Sequence, residues 1–153
     1  MKKRGIIAGF IVALIVLDQL VKAYVVQNIA LGEVKTWIPN LVSLTYLQNR
    51  GAAFSMLQDQ QWFFAVITLV VMAGAIWYLH KHIEDSVWTV FGLVLIIAGG
   101  LGNFIDRIGQ GFVVDMFHLD FVNFAIFNVA DSYLTVGVIV LMIAMLKEEM
   151  NGN

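Results

Sequence analysis

The chain has no cysteine, a single proline and little charge. Without cysteine there is no disulfide, no thiol nucleophile and no thiolate-bound metal. Asp, Glu, Lys and Arg make up only 13% of the 153 residues, about half the share usual in soluble domains. The 9 basic and 11 acidic residues leave a formal net charge of -2. That is no polybasic footprint, so no nucleic-acid partner is expected.

Apolar mass takes the place of charge. Hydrophobic residues reach 60% and the mean hydropathy is +0.84. One soluble core of this size could not hide so much apolar surface, and hydrocarbon is its natural solvent. Four segments, residues 5–26, 62–79, 87–105 and 129–146, come near the ~20 residues a spanning helix needs at a rise of about 1.5 Å per residue. In lipid these runs must be helical, because a lone strand would leave its backbone groups unpaired. The opening Lys2-Lys3-Arg4 and the apolar Gly5–Leu17 imitate a secretory signal. No small-x-small site follows, and three further apolar segments do, so an uncleaved anchor is expected. The expected fold is a single-domain, all-α polytopic membrane protein of four transmembrane helices. Lys2, Lys3, Arg4, Lys81 and Lys147 fall on one side, Lys35, Arg50 and Arg107 on the other. Both termini are therefore expected in the cytoplasm and the two longer connections outside.

Residues 27–61 read as a small β-rich platform. Glu33–Trp37 and Leu41–Leu47 are β-prone runs about a bend at Ile38-Pro39-Asn40. Val42, Leu44 and Tyr46 alternate with Ser43 and Thr45, which predicts one packed and one wet face. Ala52–Leu57 is expected to form a short interfacial helix. The second connection, Asp106–Asn128, carries Phe112, Phe117, Phe121, Phe124 and Phe127. Such rings at the membrane surface anchor a loop or meet a substrate.

Charges inside a span are costly and need a reason. Asp18 and Lys22 share one face of the first helix, where they neutralise each other and can bond to neighbouring helices. Gly99, Asn103 and Arg107 share a face of the third, with glycines allowing close helix approach. Arg107 can pair with Asp106 or Asp18, or grip a lipid head group with its guanidinium. With Asn128 near an N-cap, Asp131 falls in the first turn of the fourth helix, where negative charge is favoured. Capping accounts for Asp131 but leaves Asp115 unexplained. Two carboxylates brought together at the membrane surface would share a proton and could use water to hydrolyse a peptide bond. His118 is the one histidine expected on the outer side, so a histidine-bound zinc is not expected; a carboxylate-rich metal site stays open, and no other cofactor is expected. These residues alone leave an enzyme, a transporter and a structural protein open. Transport fits poorly, since no internal repeat or midplane polar site is evident.

Five blocks narrow the choice. They are Asp18-Gln19 with Lys22; Tyr46-Leu47-Gln48-Asn49-Arg50-Gly51-Ala52-Ala53-Phe54; Gly99-Gly100-Leu101-Gly102-Asn103-Phe104-Ile105-Asp106-Arg107; Gly111-Phe112-Val113-Val114-Asp115; and Phe127-Asn128-Val129-Ala130-Asp131-Ser132. In content and order the chain resembles the bacterial type II (prolipoprotein) signal peptidases. The resemblance implies a membrane aspartic peptidase that removes the signal peptide just before a diacylglyceryl-modified cysteine. It implies Asp115 and Asp131 as the catalytic pair. Asn49, Asn103, Arg107 and Asn128 would line the site, with Asp18 and Lys22 as a supporting pair and no metal. It further implies lipid-modified prolipoproteins and membrane phospholipids as partners and globomycin-type cyclic peptides as inhibitors; a monomer is expected.

Overall fold

The computed structural model describes residues 2–51, 61–150 and 152. Within them run four helices, α1 (Lys2–Asn28), α2 (Gln61–Lys81), α3 (Val87–Gln110) and α4 (Val129–Met150). All four are long and apolar enough to cross a bilayer, and the chain is a multi-pass membrane protein. Three strands, β1 (Val34–Ile38), β2 (Val42–Asn49) and β3 (Val113–Leu119), form an antiparallel sheet in the order β1-β2-β3. The sheet lies at the end of the bundle where α1 and α3 finish and α4 begins.

Helix α3 is the spine. Of its most apolar stretch 67% is buried, against 11–17% for the other helices. Glycine makes this possible. A Cβ at Gly99 would stand 2.4 Å from the carbonyl oxygen of Ala130, and one at Gly137 would stand 2.8 Å from that of Gly92. With hydrogen at these places, α3 and α4 meet backbone to backbone. Close packing of this kind drives helix association where lipid tails offer no hydrophobic contrast. On its other sides α3 receives Met72 of α2 at Gly100 and Asp18 of α1 at Gly102.

Helix α1 is built inside out. Its buried residues are Asp18, Lys22 and Val25, while Leu17, Leu20 and Tyr24 stay exposed. In hydrocarbon that is the cheaper arrangement, since the charges then find partners within the protein.

Helix α3 runs past the expected end at residue 105. It stops at Gly111, whose φ of 75° allows its N–H to cap the carbonyl of Arg107. Asp106 thus sits on the helix rather than in the connection after it, and Arg107 keeps the helical face it was expected to share with Gly99 and Asn103. That connection, expected to be a loop, contributes the third strand. Residues Val113 to Met116 are all buried, so the alternation that marks a half-wet strand is missing from the sequence.

The first hairpin turns where expected. Leu41 N–H donates to the Ile38 carbonyl at 3.0 Å, and Asn40 after Pro39 takes a positive φ of 61°. The faces of β2 differ from the expectation. Ser43 and Thr45 are buried, while Val42 and Leu44 are only half-buried. β2 is the middle strand, and the buried Ser43 is satisfied by Oγ donating to Asp120 Oδ2 at 2.9 Å. An apolar cluster of Val25, Ile29, Tyr46, Val114 and Met116 fastens the sheet to α1. The expected helix at Ala52–Leu57 lies outside the described residues.

Candidate active site

A cleft of about 450 Å³ lies at the sheet end of the bundle. Asn49 of β2, Asn103 and Arg107 of α3, Asp115 of β3 and Asp131 of α4 supply its polar lining. Val113, Leu119, Ile126 and Val136 make it mostly apolar, and Phe124 and Phe127 line it too. Two of the aromatic residues read as loop anchors or substrate contacts are thus cleft walls.

Asparagine amides tie the two acids into the fold. Asn128 precedes α4 and caps it: its Oδ1 accepts the N–H of Asp131 at 2.9 Å, and its own N–H donates to Asp131 Oδ2 at 3.1 Å. This reciprocal pair is a capping box with Asp at the third helical position. Because the oxygen of Asn128 is occupied by a donor, its NH2 faces away, and Nδ2 donates to Asp115 Oδ1 at 2.7 Å. Asn49 repeats the logic. Its Oδ1 accepts the N–H of Gly51 at 2.9 Å and its Nδ2 donates to Asp115 Oδ2 at 2.9 Å. Sheet register places it there, since Asn49 pairs with Val113 and Leu47 with Asp115, making Asn49 and Asp115 diagonal neighbours on one face. Asn103 is the third. Its Oδ1 accepts from Lys22 Nζ at 3.0 Å and its Nδ2 donates to Asp131 Oδ1 at 2.7 Å. All three amides have their orientation set by the donor on their oxygen.

Asp115 is only 1% exposed. Burial, and then the negative charge of Asp131, push its carboxyl up to about 7 from an ordinary 3.8, against the hydrogen bonds from Asn49 and Asn128. It can therefore hold a proton near neutrality, as an acid partner must.

Behind the cleft, Lys22 Nζ meets Asp18 Oδ2 at 2.8 Å and Asp106 Oδ2 at 3.0 Å, with all three side chains buried. The expected Asp18–Lys22 pair is thus present and extended by Asp106. Arg107 pairs with neither Asp106 nor Asp18. Lys22 has taken both, and the Arg107 guanidinium lies instead over the Phe64 ring at 5.2 Å. Its buried Nε has no hydrogen-bond partner among the described residues.

Some cleft residues are not among the site residues that the sequence singles out. Ser132 and Thr135 line the cleft, with their hydroxyls bonded back to the carbonyls of Asn128 and Asp131 at 3.0 and 2.9 Å. Thr135 stands four residues after Asp131, a helical spacing that would have flagged it. Gln19, part of the first motif beside Asp18, donates from Nε2 to Asp106 Oδ1 at 3.0 Å. Among the described residues no three His, Asp or Glu side chains gather as a metal's ligands would.

Residues 10–147 match the family model described as signal peptidase (SPase) II. The lipoprotein signal peptidase of Streptococcus pneumoniae is 80% identical over 153 residues, covering 100% of both chains. That of Streptococcus agalactiae is 63% identical over 99% of this chain and 98% of the relative. A bacterial membrane enzyme solved by the in meso method at 2.3 Å superposes with a TM-score of 0.88 at 33% identity, covering 97% of this chain and 92% of the other. A second such enzyme, at 1.9 Å, gives 0.83 at 34% identity over 94% of each chain. With one cleft joining two acids, four spanning helices and these likenesses, the chain belongs to the signal peptidase II family of membrane aspartic peptidases.

Proposed function

We propose that Asp115 and Asp131 share one proton and together hydrolyse the peptide bond on the amino side of a diacylglyceryl-modified cysteine. As a member of its family the chain removes signal peptides from lipid-modified prolipoproteins. The observation that carries the dyad is that three asparagines, each pinned at its amide oxygen, aim N–H groups at these two carboxylates in one cleft.

Asp131 sits in the first turn of α4, where negative charge is favoured, and acts as the base. It takes a proton from water as the water oxygen attacks the scissile carbonyl. Protonated Asp115 donates to the carbonyl oxygen, which becomes the hydroxyl of a tetrahedral intermediate. Collapse breaks the C–N bond. The cysteine nitrogen leaves with the proton held by Asp131, and the hydroxyl proton returns to Asp115. Asn49, Asn103 and Asn128 hold the acids, while the Arg107 guanidinium at the cleft lining contacts a substrate carbonyl or lipid phosphate. Asp18 and Lys22 support the site from behind.

The substrate's acyl chains and signal helix stay in hydrocarbon and approach the apolar cleft sideways, so that the cleavage point meets water at the membrane surface. The termini are cytoplasmic and the cleft faces outward in this reading, in line with Lys2, Lys3, Arg4, Lys81 and Lys147 at the far end of the bundle. The enzyme works as a monomer, and globomycin-type cyclic peptides occupy the same cleft. The test is cleavage of a lipidated precursor by folded, detergent-purified Asp115→Asn and Asp131→Asn. Each should lose about 10²–10⁴-fold in kcat. Near-normal turnover by either would refute the dyad.

A further inference from the structure

Lys22 has three N–H donors and three acceptors, and every one leads to the acids. Through Asn103 it reaches Asp131 in two hydrogen bonds, of 3.0 and then 2.7 Å. Its second partner, Asp18, uses the other oxygen, Oδ1, to accept the backbone N–H of Ala130 at 2.9 Å. Its third partner, Asp106, accepts the backbone N–H of Val114 on Oδ2 at 3.2 Å. Ala130 and Val114 are the residues immediately before Asp131 and Asp115. Gln19 Nε2 then bridges the two carboxylates, 3.2 Å from Asp18 Oδ2 and 3.0 Å from Asp106 Oδ1.

We propose that Asp106, with Asp18 and Lys22, is a positioning unit that sets the spacing of the two acids by holding the backbone in front of each one to a single buried ammonium.

The chemistry favours this over a role in neutralising charge alone. An isolated lysine in a span would need one carboxylate, and Asp18, four residues away on the same helix, already supplies it. A second buried carboxylate leaves the group with net negative charge, which burial penalises unless further donors compensate. The compensating donors are Gln19 and two backbone N–H groups, and those N–H groups belong to β3 and α4, the separate elements that carry the acids. On the cleft side β3 and α4 are tied by the Phe117–Phe127 bridge and by the Asn128–Asp115 hydrogen bond, and a second set of anchors holds each of them from behind. Asp106 does so for β3 and Asp18 for α4.

This inference rests on the dyad reading, and the two can fail separately. Turnover by Asp115→Asn or Asp131→Asn sinks the dyad. Inactive dyad variants beside an Asp106→Glu enzyme of normal rate sink only the positioning role. Asp106→Glu keeps the charge beside Lys22 and moves the carboxylate by one methylene; Asp106→Asn keeps the shape and removes the charge. With rates expressed per folded protein, kcat for a lipidated precursor should fall about 10- to 100-fold in both, with KM unchanged, because Asp106 is outside the cleft lining. A cluster that serves stability alone would lower the yield of folded enzyme and leave kcat per folded molecule intact. That result overturns the proposal, as does a raised KM at normal kcat. Should neither Asp106 variant fold, Gln19→Leu removes the donor shared by both carboxylates. A fall in kcat at constant KM there supports the proposal, and an unchanged kcat overturns it.

Discussion

Asn128 donates from Nδ2 to Asp115 Oδ1 at 2.7 Å, across the join between the strand bearing one acid and the helix bearing the other. The same side chain caps α4 through its oxygen. The two duties separate by substitution. Serine caps a helix as well as asparagine but has no NH2 to offer Asp115. Asn128→Ser should keep its thermal transition and lose roughly 10²-fold in kcat. Asn128→Ala should lose both, with a stability cost of about 1 kcal/mol for the missing cap. Full activity in Asn128→Ser would reduce the residue to a cap.

Activity should decline as pH rises through about 7, where Asp115 loses its proton and the pair can no longer supply an acid. Stability should move the same way. The folded protein binds a proton at Asp115 that the unfolded chain releases near 3.8, so this contribution is full below that value and is lost as pH climbs to about 7. Thermal unfolding in detergent across that range should show a downward slope in the wild type, flattened in Asp115→Asn. Parallel slopes would contradict the assignment.

Gly99→Ala places a methyl group 2.4 Å from the Ala130 carbonyl oxygen, a backbone atom that cannot step aside. Helix α4 must move as a body, taking Asp131 with it. The expected cost is about 1–3 kcal/mol in stability together with a fall in kcat. Gly109→Ala, where an added Cβ meets nothing within 4 Å, is the control and should be nearly silent in kcat. Equal effects from the two would refute the packing argument.

Arg107→Lys keeps the charge but gives up the planar fork that lies over Phe64 at the cleft lining. Kinetic constants for the lipidated precursor should worsen by about an order of magnitude in kcat/KM. Unchanged constants would mean that only the charge matters.

The absence of cysteine makes topology directly testable. Lys35→Cys should react with a membrane-impermeant maleimide in intact cells, and Lys147→Cys only after lysis. The reverse pattern would invert the proposed orientation.

Much of the bundle was legible because its signals are local. A span is an uninterrupted apolar run, and Asp18 with Lys22 is a spacing along one helix. The bend at Pro39-Asn40 and the cap formed by Asn128 with Asp131 are likewise contained in a few neighbouring residues. Strand β3 is hidden in the sequence because burial on both faces removes alternation, and the burial of Ser43 and Thr45 is hidden for a related reason: what packs on a sheet face is not a property of the strand itself. The end of α3 is hidden in the sequence because Asp106 breaks the apolar run, and its partner, Lys22, lies on another helix.

By itself, the sequence determined that this chain lives in a membrane, crosses it with four helices and carries the motifs of its family, since hydropathy and spacing are properties of consecutive residues. Only the tertiary structure decided which oxygen of which acid meets which amide, that Asp106 joins Lys22 while Arg107 is left facing the cleft, and that one ammonium reaches the backbone before both acids. Those relations span up to 112 positions of chain and exist only once glycine lets α3 close against α4 and β3 completes the sheet.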